Sequence, residues 1–173
     1  MTYKHKGMSI LEMMIVVSII ALVVVLGGPT IVESQRIMRH KGAVETAYFT
    51  LQSARAGAIS RAANTTINFE TEDPWCIGVS DVGVCDCQTL DSCTVDGVEQ
   101  IIQQSDYNGI TLQEINFGGN DFMVFDGQRG LALGNAGSFV FSDGNVEARI
   151  EVSTLGRVRI CTEEGNLGNY PAC

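Results

Sequence analysis

The sequence predicts an α+β fold: one long N-terminal α-helix, half transmembrane and half packed on an antiparallel β-sheet, with disulfide-stapled loops. Three observations predict it. From Met13 to Val32 twenty residues run without a charge, long enough to cross a bilayer as one helix. Beyond Pro29 apolar residues recur at helical spacing, and from Thr65 the hydrophobic period falls to two, the period of a pleated strand. All six cysteines follow residue 75.

The N-terminal segment is read first against a signal peptide, which needs a shorter apolar region and a small-residue cleavage site. The flank GGPTIVESQRIMRH offers no Ala-x-Ala, so the segment reads as a span. Lys4 and Lys6 on one side face Arg36, Arg39 and Lys41 on the other, so positive charge does not orient it. The cysteines do, by placing the C-terminal part in an oxidising space. Glu12 is the anomaly. A carboxylate at the centre of a membrane helix costs ~2.5–3.5 kcal/mol on insertion scales, less near an end, and marks a candidate functional group in need of a partner. Solvation at the interface is the plain alternative.

The basic leader ending in Gly7, followed by Met8-Ser9-Ile10-Leu11-Glu12 and an apolar run, resembles the class III signal of type IV prepilins and type II secretion pseudopilins. The resemblance implies a prepilin peptidase that cuts after Gly7 and methylates Met8, although Phe is commoner than Met at that place. Glu12 then becomes the fifth residue of the mature chain and Pro29 the twenty-second, matching the acid and a frequent proline of that family. It also implies a partner for the acid. The amine of one subunit meets the Glu12 of its neighbour in a filament core, an opposite charge in a low-dielectric place, so Glu12 is an assembly residue. Gly27-Gly28-Pro29 is a weak point in the helix, where the family implies local melting on assembly. The expected organisation is 1-7 leader, 8-32 transmembrane and assembly helix, and 33-173 amphipathic helix plus antiparallel β globular domain.

Past the span, Ile37, Val44, Tyr48, Leu51, Ala58 and Ala62 form an apolar stripe while Arg36, Arg39, Lys41 and Arg55 carry the polar surface, with His40 in the same basic run. One helix from about Ser9 to Ala63 is expected. INF, WCIGV, ITLQEI, FMVF, SFVF, EARIEV and RVRI are strands separated by Gly, Asn and Asp clusters. Asp143-Gly144 suits a hairpin turn, and VEQIIQQ fits a short helix. A long helix on one face of an antiparallel sheet is α+β, and by the resemblance it is the type IV pilin fold.

Charge is divided unevenly. Residues 1–61 hold seven Lys/Arg against three Asp/Glu and residues 62–173 four against seventeen, so the body repels polyanions at long range and any nucleic-acid role rests on a local patch. Six cysteines permit 15 pairings. Cys161 and Cys173 close a C-terminal loop, and Cys76, Cys85, Cys87 and Cys93 staple the loop between Trp75 and Thr94 in a pairing left open. A metal is disfavoured: Cys85 and Cys87 are the one close pair, and His5 and His40 lie far away. Asp81, Asp86 and Asp91, five apart, do not fit a calcium loop. No nucleophile elbow, phosphate-binding loop or zinc-protease motif occurs, so neither an enzyme nor a cofactor is expected.

The stretch EARIEVSTLGRVRIC carries the remaining signal. Pairing Val152 with Val158 on a buried face leaves Thr154-Leu155-Gly156 as the loop, with Gly156 where a left-handed residue is wanted. Arg157 and Arg159 then share the outward face, and the same register sets Arg159 opposite Glu151, an ordinary cross-strand ion pair. SFVFSDGNVEARIEVSTLGRVRIC is similar to the GspH/FimT/FimU group of minor pilins and pseudopilins. Within that group FimT-like members of competence pili bind DNA through Gly-Arg-x-Arg, matched here by Gly156, Arg157, Val158 and Arg159. The resemblance implies a minor pilin at a pilus tip, acting in assembly and in capture of double-stranded DNA for natural transformation. A purely structural FimU-like priming pilin and an H-type type II secretion pseudopilin are the alternatives. Other pilins, the prepilin peptidase and the inner membrane are the expected partners. The expected location is a single-pass inner-membrane form with a periplasmic domain, then the cell-surface pilus.

Overall fold

The computed structural model describes residues 7–132 and 134–173. The leader residues 1–6 and the side chains of residues 27–30, the predicted weak point among them, lie outside that description. One helix, α1 (Ile10–Arg61), carries the N-terminal part of the chain. It ends where Ala62 turns left-handed at φ 51. The Ala63 N–H then reaches the Ala58 carbonyl at 3.2 Å and the Ala62 N–H reaches Ile59 at 3.2 Å, the bonding of a Schellman stop. Ala62 is therefore exposed, and not on the packed stripe where its spacing had set it.

The chain divides into two compact units, one up to Ile37 and one from Met38 to Cys173. In the first, apolar side chains from Ile10 to Leu26 face outward, as a membrane or neighbouring helices require. Ser18 donates its hydroxyl to the Met14 carbonyl at 2.7 Å, which satisfies a polar group within its own helix.

In the second unit the rest of α1 buries Ala43, Val44, Ala47, Leu51, Ala54 and Ala58. Four of these six are alanines, while Tyr48 is only half-buried. His40 departs from expectation. It is wholly buried, with Nε2 3.1 Å from the Phe141 carbonyl and Nδ1 3.6 Å from Asp143, because the helix sets it against the tip of a hairpin and not in the polar run.

Ten strands follow among the described residues: β1 (Thr65–Glu70), β2 (Cys76–Ser80), β3 (Thr94–Val95), β4 (Val98–Glu99), β5 (Ile101–Gln103), β6 (Thr111–Asn116), β7 (Phe122–Phe125), β8 (Gly137–Ser142), β9 (Glu147–Val152) and β10 (Val158–Glu164). They form two four-stranded sheets, ordered β5-β2-β1-β7 and β10-β9-β8-β6, and a small β3-β4 ribbon. The pairings within them are antiparallel. The two sheets meet through aromatic rings: Phe69 of β1 lies 4.8 Å from Phe139 of β8, and Trp75 lies 5.3 Å from Phe141. VEQIIQQ is not a helix. It gives β4, β5 and a single 3-10 turn at Gln104–Asp106, because β5 pairs with β2 and Ile101 packs on the cystines. Pairing and burial override a weak local preference in so short a segment.

Disulfides join Cys76 to Cys87, Cys85 to Cys93 and Cys161 to Cys173. Gly78 on β2 makes room for the first two, since a Cβ there would lie 2.2 Å from the Cys93 sulfur. The third holds the C-terminal segment against the free edge of β10. Thr162 donates its N–H to Pro171 at 2.8 Å and accepts from Cys173 at 3.1 Å, so part of an open sheet edge is covered.

Candidate functional site

The hairpin of β9 and β10 has the register that alternation required, with Val158 opposite Val152 and Arg159 opposite Glu151. Its turn closes between Ser153 and Arg157. The Ser153 N–H donates to the Arg157 carbonyl at 3.0 Å, the Gly156 N–H to the Ser153 carbonyl at 2.8 Å, and the Arg157 N–H to the Ser153 hydroxyl at 3.1 Å.

Gly156 is fixed by two demands. Its φ is +72, a left-handed conformation cheap for glycine. It is also buried against the Gly130 carbonyl, which would lie 2.0 Å from a Cβ at this position. Arg55 of α1 makes the clamp: its Nε donates to the Gly130 carbonyl at 2.8 Å and its Nη2 to the Leu155 carbonyl at 3.2 Å. A bond of 3.0 Å from the Ala132 N–H to the Thr154 carbonyl finishes the junction. Helix, turn and neighbouring loop thus form one rigid corner.

The two arginines differ. Arg159 is 65% exposed and ion-paired through Nε with Glu151, itself 29% exposed, so the cross-strand pair exists. Arg157 is exposed, and its side chain makes no ion pair or hydrogen bond among the described residues. Both border a surface groove of about 620 Å³ floored by Gly137, Ser138, Val152 and Ser153. They also border a second of about 490 Å³, between α1 and β10, lined by Tyr48, Phe49, Gln52 and Tyr170. Tyr170 donates to Glu45 at 2.8 Å, and burial followed by that bond pushes its phenol up to about 12. The corner thus sets two exposed arginines beside grooves that Glu151 and Glu45 also line. No cluster of metal-ligating side chains exists among the described residues.

Gly7 and Met8 precede α1 in exposed backbone, and Glu12 occupies its first turn, exposed, all in the first compact unit. The six cysteines are paired and lie off the corner. Sequence reasoning missed the clamp. Arg55 acts across 75 and 100 residues, and no local pattern announces contacts at that separation.

Residues 43–156 match the family model of the type II transport protein GspH, about two-thirds of the chain. Residues 2–27 match the prokaryotic N-terminal methylation motif. The GspH match ends at the turn glycine, one residue short of Arg157. No protein with a curated description matches the sequence. Among solved structures, the type IV minor pilin FimU of Pseudomonas aeruginosa is similar at a TM-score of 0.50 and 17% identity, covering 69% of this chain and 90% of that one. At that identity the likeness is one of fold.

Proposed function

The chain belongs to the GspH family and carries the prokaryotic N-terminal methylation motif, and from that premise we propose that it captures double-stranded DNA at the tip of a type IV pilus. At the coarser level it is a minor pilin or pseudopilin of the GspH/FimT/FimU kind, with an apolar N-terminal helix suited to membrane anchoring before assembly. In the finer reading the peptidase cuts after Gly7, Met8 becomes the methylated first residue, and Glu12 meets the amine of a neighbouring subunit. Segment 8-32 is then the assembly helix, 33-173 the external domain, and Gly156, Arg157 and Arg159 the DNA contact.

The supporting observation is Arg157: an exposed cation with no ion pair among the described residues, on a turn tied down by Arg55, in a chain of net charge −9. Arginines so placed contact phosphates without reading bases, and the binding weakens steeply with salt. Several copies on one filament would add avidity. The test is titration of a short duplex against the full chain in non-ionic detergent at low salt. Arg157→Gln combined with Arg159→Gln should abolish binding, and unchanged binding would refute the DNA role.

The Arg159–Glu151 pair favours a second reading, a purely structural priming pilin. In that case deletion removes pili while the double arginine variant transforms normally. A secretion defect with intact pili and DNA uptake would instead mark a type II secretion pseudopilin. Glu12→Gln should block incorporation into fibres, and uninterrupted incorporation would remove the assembly role of the acid.

A further inference from the structure

Arg129 belongs to no motif, yet the fold brings it to the same corner. It lies on the turn closed by the Asp126 N–H to the Leu131 carbonyl and the Gly130 N–H to the Asp126 carbonyl, both 2.8 Å. The Asp126 carboxylate accepts from the backbone N–H groups of Gln128 and Arg129 at 3.2 and 2.9 Å. Gly130, the next residue, is the one whose carbonyl abuts Gly156 and accepts from Arg55. The imaginary Cβ of Gly156 is 3.2 Å from the Gly130 carbonyl carbon. Adding one ~1.5 Å bond and one ~3.8 Å chain step on each side puts the Cα atoms of Arg129 and Arg157 no more than roughly 14 Å apart. Arg129 is exposed and its side chain has no ion pair or hydrogen bond among the described residues.

Charge pairing sorts these arginines from others of the same unit. Arg61 holds Asp96, Arg149 holds Glu114 and Glu163, and Arg159 holds Glu151. Arg55, Arg129 and Arg157 have no carboxylate partner among the described residues, and Arg129 and Arg157 each lie next in sequence to a residue of the junction where Arg55 ties the Gly130 and Leu155 carbonyls together. We propose that Arg129 and Arg157, positioned by Arg55, form one phosphate-binding corner, and that Arg129 contributes more to DNA contact than the motif residue Arg159. This rests on the DNA reading above and changes which residues carry it. The occupant is the backbone of a DNA duplex. Each strand carries one phosphate per ~3.4 Å of axial rise, so two arginines no more than ~14 Å apart can reach phosphates of the same short stretch of backbone.

The experiment is salt-dependent titration of full-length protein in non-ionic detergent with two duplexes of unrelated sequence, comparing wild type, Arg129→Gln, Arg129→Lys, Arg157→Gln and Arg159→Gln. A lost phosphate contact lowers the slope of log affinity against log salt by about 0.9 and weakens binding about tenfold near 50 mM salt. Arg129→Gln should show that loss equally on both duplexes, Arg129→Lys should recover most of it, and Arg159→Gln should show less. Thermal melting of Arg129→Gln should match wild type, because the side chain supports nothing else. If Arg157→Gln weakens binding while Arg129→Gln binds as wild type does, the corner is wrong and the DNA reading survives. If wild type fails to bind duplex at low salt, the DNA reading itself fails. Equal loss of binding to polyglutamate in Arg129→Gln, with duplex binding intact, would assign the corner to acidic protein and overturn the proposal.

Discussion

Arg149 and Arg157 stand on the same β9–β10 hairpin and are treated in opposite ways. Arg149 is 23% exposed and gripped by Glu114 at 2.7 Å, Glu163 at 2.8 Å and the Ser138 hydroxyl at 3.1 Å. The bond to Glu163 holds its pKa above the usual arginine value. Arg157 has its backbone pinned and its guanidinium left to solvent. Carboxylates are not scarce, with seventeen after residue 61, and Glu151 and Glu45 line the same grooves as Arg157, yet neither forms an ion pair with it. One arginine fastens sheet strands together, and the other is held out by a fastened turn.

The sharpest way to break this contrast is at the turn. Gly156→Ala forces a Cβ against the Gly130 carbonyl at a positive φ, and should destabilise the domain by about 3 kcal/mol, lowering Tm by roughly 10 °C. Calorimetry checks it, and DNA binding should fall with the fold. Next comes exchange of the two arginines. Arg149→Gln leaves Glu114 and Glu163 facing one another and should cost about 1–2 kcal/mol without altering the DNA slope. Arg157→Gln should change stability by less than about 0.5 kcal/mol while weakening duplex binding. If both behave alike in both assays, the contrast is empty.

A smaller effect sharpens it. Glu151→Gln releases Arg159 and removes a repelling charge from the groove, so duplex affinity should rise by up to about tenfold, with stability changed by less than ~1 kcal/mol. The smallest effect concerns Tyr170, beside the second groove. Its folded pKa of about 12 exceeds the ~10 of a free phenol. The stability linked to it is therefore complete below pH ~10 and is lost as pH rises through about 12. Tyrosinate absorbance, assigned with Tyr170→Phe, should show that late step.

What the sequence could reveal follows the range of the interactions. The helix, seven of the strands and the Val152–Val158 register are written in periodicities a few residues long, and the hairpin glycine follows from loop length. The N-terminal methylation motif is contiguous, so its resemblance is readable at once. The Cys161–Cys173 loop was readable, but the pairing of Cys76, Cys85, Cys87 and Cys93 was not, because it depends on how β2 and the β3-β4 ribbon fold around Gly78. The strand at Ile101–Gln103 was hidden for a similar reason: its identity comes from β2 beside it. His40 was misplaced because a neighbour one hundred and one residues away buried it. Arg129 carried no local signal at all, and only the contact of Gly130 with Gly156 places it beside Arg157.

Trp75 is the one tryptophan of the chain. It is 2% exposed, with its indole N–H bonded to the Ile110 carbonyl at 2.7 Å and its ring against Phe141. Tryptophan emission therefore originates at a single point, the seam between the two sheets. A blue spectrum reports an intact seam and a red one its opening, and the N-terminal span contributes no background, so the outer domain can be followed optically even while the protein sits in micelles.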